Sequence, residues 1–143
     1  LCSWLNNRGF IVIGVIFLVA PLAFNAMPQA VSKTQKSVVA VWLKQHPVAG
    51  SYLIYWDYKA DFSAQFYSAG RAKFALSHKK LCSLLRNNRE NYLAIEPSET
   101  HKISPDLFNK MVLVQRVYAG DKPYFLMRIP VSAKDSCPAQ AES

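Results

Sequence analysis

Between Arg8 and Lys33 the chain carries no charged side chain for 24 consecutive residues, from Gly9 to Ser32. Within that gap Phe10–Phe24 reads FIVIGVIFLVAPLAF, fifteen residues with no polar side chain. A bilayer core of roughly 30 Å needs about 20 helical residues. Residues 9–27 approach that length, and Trp4 and Arg8 stand before them as interfacial anchors do. A secretory signal is the competing reading, but Pro21 interrupts the apolar run and no good small-x-small cleavage site follows. The expectation is a single membrane helix, with residues 1–31 forming a loop and that span.

Beyond the gap the composition changes. Residues 33–143 hold 16 basic and 9 acidic side chains, so they carry +7 of the formal +8. A mean hydropathy near zero with 18% charged residues excludes a disordered chain, which would be poorer in apolar residues. About 110 residues suffice for one domain with one core. The chain starts at Leu1 and not at Met, which reads as a piece of a longer protein.

The soluble part alternates helical and strand patterns. Ser32-Lys33-Thr34 opens a helical stretch to His46, with Val38, Val41, Trp42 and Gln45 at helical spacing and Pro47 closing it. Tyr52–Tyr58 is rich in aromatic and β-branched residues and reads as a strand. Asp61 caps a short helix stopped by Gly70, and 71–75 is a further strand. Ser77 caps a helix over 78–88 with Leu81, Leu84 and Leu85 on its apolar face. Tyr92–Ile95 is a strand. Ser104-Pro105-Asp106 starts a helix of about 105–110, with Ser104 as N-cap. Met111–Tyr118 and Tyr124–Ile129 make a hairpin with a five-residue connection. The fold class is α/β: one N-terminal transmembrane helix, then over 32–131 a small domain with a mixed sheet of about five strands flanked by helices. Residues 132–143 read as a loose tail.

Catalytic signatures are absent. His46, His78 and His101 show no metal-ligand spacing, and there is no glycine-rich phosphate loop or nucleophile elbow. Asp57 and Asp61 flank the loop after the first strand, where ligands of α/β sheets often sit. A strand-end residue and a helix cap are their first reading. Cys82 and Cys137 either pair, if this part lies outside the cytoplasm, or remain free; spacing alone does not decide. Charge says more: from Phe62 to Arg89 there is no acid, whereas Arg71, Lys73, Lys79, Lys80, Arg86 and Arg89 supply six positive charges. Beside a bilayer such a patch draws lipid phosphates, by about 1 kcal/mol per basic residue near the surface. Nucleic acid is the other usual partner of such a patch, but no exposed aromatic platform accompanies it and a span is an odd companion, so membrane lipid is expected and nucleic acid is not.

The order of these pieces resembles a known family. An apolar span runs into Ser37–Leu43; a strand ends in Tyr55-Trp56-Asp57-Tyr58; then come Phe62-Ser63-Ala64-Gln65-Phe66-Tyr67-Ser68-Ala69-Gly70-Arg71, a Leu-Leu helix, Asn91–Ile95 and Tyr124–Arg128. This is similar to the C-terminal end of the bacterial GT-C membrane glycosyltransferases related to protein mannosyltransferases and the lipid A aminoarabinose transferase. The resemblance implies an inner-membrane enzyme that moves a sugar from a polyprenyl-phosphate carrier to a lipid or protein acceptor, with residues 32–143 extracytoplasmic. It implies that the catalytic acid, and a divalent metal where one is used, belong to the first outward loop of the full-length enzyme. No position here matches that motif, so no catalytic or metal residue is carried over and this piece holds no cofactor. Asp57, Tyr67 and Arg71 are candidates for contacts between domains. The alternative is a complete single-span protein with an extracytoplasmic binding domain.

Overall fold

The computed structural model describes residues 34–138, which belong to one compact unit beginning at Thr34. The span expected over 9–27 lies outside the described residues, as do Cys2 and Arg8. Among the described residues no helix is long and apolar enough to cross a membrane.

The elements follow as α1 (Lys36–Leu43), β1 (Leu53–Trp56), α2 (Phe62–Tyr67), β2 (Ala72–Ala75), α3 (His78–Leu84), β3 (Asn91–Ile95), α4 (Pro105–Phe108), β4 (Val112–Ala119) and β5 (Lys122–Ile129). Short 3-10 turns occupy Leu85–Asn87, Pro97–Lys102 and Val131–Ser136. The five strands form one mixed sheet in the order β2-β1-β3-β5-β4. β1 is parallel to β2 (Leu53 opposite Ala72) and to β3 (Leu53 opposite Tyr92). β5 is antiparallel to both β3 and β4. This is the mixed α/β sheet the sequence pattern implies.

Every residue of β1 and β3 is buried, as expected of central strands covered on both faces. Alternation then sorts the core into two layers. Leu53, Tyr55, Tyr92, Ala94, Tyr124 and Leu126 point to the face covered by α1 and α2, where Val38, Val39 and Trp42 meet them. Ile54, Trp56, Leu93, Ile95, Met127 and Ile129 point to the other, where Leu81, Leu85, Leu107 and Ala133 pack.

The structure revises several sequence expectations. α1 buries Val38, Val39 and Trp42 and leaves Gln45 exposed, since its last regular turn ends at Leu43 and 3-10-type bonds from Gln45 and His46 follow. The helix expected over 78–88 gives way at Leu85 to a 3-10 turn closed by Asn88 at φ +54. The hairpin connection has two residues, not five: Ala119 pairs with Lys122, and Gly120 takes φ +66 at the first turn position. Pro123 enters β5 without breaking the β3 ladder, because that pairing stops at Ile95–Phe125. The loose tail begins later than 132. Val131–Ser136 forms a 3-10 turn, Ala133 is buried under the sheet, and Cys137 is disulfide-bonded to Cys82.

Candidate functional site

β1, β2 and β3 run in the same direction, and α3 returns from the carboxyl end of β2 towards the start of β3. The six basic residues are therefore divided between opposite ends of the sheet. Lys79 and Lys80 open α3 beside the carboxyl ends of β1 and β2, and both are exposed. Arg86 and Arg89 follow α3 and lie exposed near the amino ends of β1 and β3. Lys73 sits between them on the edge strand, its ammonium 5.2 Å from the Tyr52 ring centre.

Arg71 has a different setting. Its Nε donates to the Ser51 carbonyl at 3.1 Å and its Nη2 to the Val48 carbonyl at 2.8 Å. The guanidinium carbon lies 4.7 Å from the Trp42 ring centre. One planar cation thus ties α1, the turn before β1 and the start of β2 together, a task suited to the rigid fork of arginine. Its neighbours in the sequence phrase act likewise. Gln65 Nε2 donates to the Ala72 carbonyl at 2.8 Å, and buried Ser68 Oγ accepts from the Ala72 N–H at 2.8 Å. Gly70 takes φ +78 in the turn between them. Tyr67 is half-buried, with the Phe66 ring edge-on at 5.4 Å and the Lys36 ammonium 5.9 Å from its centre.

Asp57 stands at the carboxyl end of β1 with φ +49. Its Oδ2 accepts from Lys102 Nζ at 2.9 Å, and Lys102 also pairs with Glu99. The Lys102 hydrogen bond holds the Asp57 carboxyl below its ordinary range, and the Glu99 and Asp57 bonds raise Lys102 to about 12. Asp61 caps α2: its Oδ1 accepts from the Ala64 N–H at 3.0 Å and from Ser63 Oγ. Burial pushes its pKa up, but those bonds outweigh it and hold the carboxyl below its ordinary range. The two acids therefore serve a surface ion pair and a helix cap.

Sequence reasoning missed three polar arrangements. Asn91, 1% exposed, accepts from the Tyr52 N–H and exchanges amide bonds with Asn87. His78 Nε2 lies 3.1 Å from Ser104 Oγ and its Nδ1 lies 3.7 Å from Cys82 Sγ. Ser104 consequently makes no side-chain cap for α4. With a hydroxyl and a sulfur as the ring's partners, no carboxylate orients the imidazole as acyl-transfer triads require. Finally, Tyr55, Tyr58 and Tyr124 cluster on the α1 face with ring centres 5.9–6.5 Å apart, and burial raises the pKa of Tyr55 and Tyr124. Tyr55 and Tyr58 stand in one aromatic run of the sequence, but only the folding of the sheet brings Tyr124 to them.

No family model, curated protein or solved structure matches the chain. Its chemistry is to be read from the residues alone. Among the described residues there is no group of His, Cys, Asp and Glu that could hold a metal ion. The surface carries exposed cations at the two ends of α3. Beside the disulfide a hollow of about 290 Å³ is lined by Arg86, Lys134, Asp135, Cys82, Cys137 and Pro138. Such cations attract phosphate or carboxylate.

Proposed function

We propose that this chain is the C-terminal part of an integral-membrane glycosyltransferase that moves a sugar from a polyprenyl-phosphate carrier to a lipid or protein acceptor. Residues 34–138 are its non-catalytic domain on the extracytoplasmic side of a bacterial inner membrane. The observation that carries the reading is the behaviour of the phrase 62–71, on which the resemblance rests. Its Gln65, Ser68, Gly70 and Arg71 are the residues that turn α2 into β2 and lock that corner to Trp42 and Ser51. The phrase shapes this corner of the fold, which is the role the resemblance would require of it. The Cys82–Cys137 disulfide supports the compartment, because such bonds persist in oxidising surroundings. The basic residues on α3 supply attraction for lipid phosphates. A divalent metal, where the full-length enzyme uses one, belongs to the upstream part.

Reading the gene upstream of Leu1 and assaying membranes that contain the whole product tests this. Further apolar spans, an acid in the first outward loop and transfer of labelled sugar from a polyprenyl-phosphate donor are expected. A start codon within a few codons of Leu1, with no transfer, would sink it in favour of a single-span binding protein.

A further inference from the structure

We propose that α2 presents a lipid-inserting edge, with the rings of Phe62 and Phe66 seated in the headgroup region of an anionic phospholipid bilayer. This rests on the reading that residues 9–27 span a membrane. Phe62 is 87% exposed and Phe66 72%, the two most exposed large apolar side chains of the described domain. Residues four apart lie on one side of a helix, so the two rings share a face while Ala64 turns into the core. Single exposed apolar residues need no explanation, but two phenylalanines on one turn of a six-residue helix form a patch.

On that reading, the length of chain before the domain keeps the patch within reach of lipid. The Gln35 N–H donates to Ser63 Oγ at 3.1 Å, so the first turn of α2 adjoins the second residue of the domain. Only residues 28–33 separate the apolar run ending at Met27 from Thr34. At most about 3.5 Å per residue, that tether reaches about 20–25 Å. Charge selects the same partner. The exposed Lys36 holds its ammonium 5.9 Å from the ring of Tyr67, the neighbour of Phe66. Asp57 is paired with Lys102 and Asp61 caps α2, whereas Lys59, three residues before Phe62, is exposed. Aromatic rings flanked by lysines suit an anionic interface, where rings bury and ammonium groups meet phosphates.

The test uses the full chain reconstituted in phosphatidylglycerol/phosphatidylcholine vesicles whose acyl chains carry bromine at a shallow position. Phe62→Trp and Phe66→Trp are compared with the parent, and the fluorescence of the added indole is taken as the difference. Both sites are exposed, so the substitutions leave the core intact. The expected result is an added emission that is blue-shifted, at least halved by the brominated lipid and shielded from aqueous iodide. Emission quenched by iodide as freely as that of a soluble indole overturns the proposal. So does a blue shift without bromine quenching, which would mean cover by the apolar segment or by a second copy. Phe24→Trp separates the two levels: if it is quenched by bromine while Phe62→Trp is not, only the α2 edge fails. If Phe24→Trp is not quenched either, the membrane reading fails and this proposal with it.

Discussion

Cys82 and Cys137 lie 55 residues apart in sequence, and their disulfide holds their Cα atoms 5.6 Å apart. The bond fastens the last described turn to α3, so the C-terminal segment covers the sheet face lined by Ile129 and Met127. In the chain-entropy account, closing a loop of that length stabilises the fold by up to about 4 kcal/mol. Reduction, or Cys137→Ala, is expected to lower the urea midpoint and to expose Ala133 without abolishing the sheet. Urea unfolding with and without reductant measures it, and an unchanged midpoint would contradict the role.

Asp61→Ala removes the acceptor for the Ala64 N–H at the start of α2. A loss of about 1 kcal/mol is expected, with Asp61→Ser recovering most of it. Because the folded pKa is depressed, the stabilisation is present above the ordinary carboxylate pKa of about 4 and fades as pH falls through the lower folded value. Acid titration of stability should therefore be shallower in Asp61→Ala than in the parent.

Arg71→Lys should behave more like Arg71→Ala than like the parent. A lysine cannot serve the Ser51 and Val48 carbonyls together while lying flat on Trp42. About 1–3 kcal/mol is expected for either change, read from thermal unfolding together with Trp42 fluorescence. Full stability in Arg71→Lys would show that only the charge matters.

Asn91→Leu strips the Tyr52 N–H of its acceptor and the Asn87 amide of two bonds, leaving Asn87 those to Gly50 and Arg89. Unmet buried groups cost about 1–3 kcal/mol each, so this change should exceed any surface substitution in the domain. Hydrogen exchange at the Tyr52 amide should quicken in the variant; unaltered protection would contradict the assignment.

Reversing Lys79, Lys80 and Arg86 together is expected to weaken association of the protein with anionic vesicles, the more so at low salt. Binding equal to that of the parent would reduce α3 to an ordinary solvated face.

Much of this fold is visible in local patterns. Asp61 and Ser77 cap the helices their positions promise, and the aromatic run around Tyr55 forms a central strand. Ser104 shows the limit: its place before Pro105 marks it as a cap, yet His78 from another element takes its hydroxyl. The hairpin connection also escaped, because Pro123 suggests a loop unless one knows that β3 ends before reaching it. The same holds for the charges. Arg71 and Lys79 are eight residues apart and look like one patch, but β2 and the bend into α3 carry them to opposite ends of the sheet. Sequence counts charges; topology decides which of them act together.

Everything proposed for this domain requires residues 34–138 to lie outside the cytoplasm. The most direct measurement is made on intact cells and spheroplasts that express the protein. Free thiols are first trapped in intact cells, and protease is then added to the spheroplasts. The expected result is a Cys82–Cys137 pair refractory to thiol reagent until reduced, and a domain digested from the outside. Free thiols at both positions, in a domain protected until the membrane is broken, would contradict it.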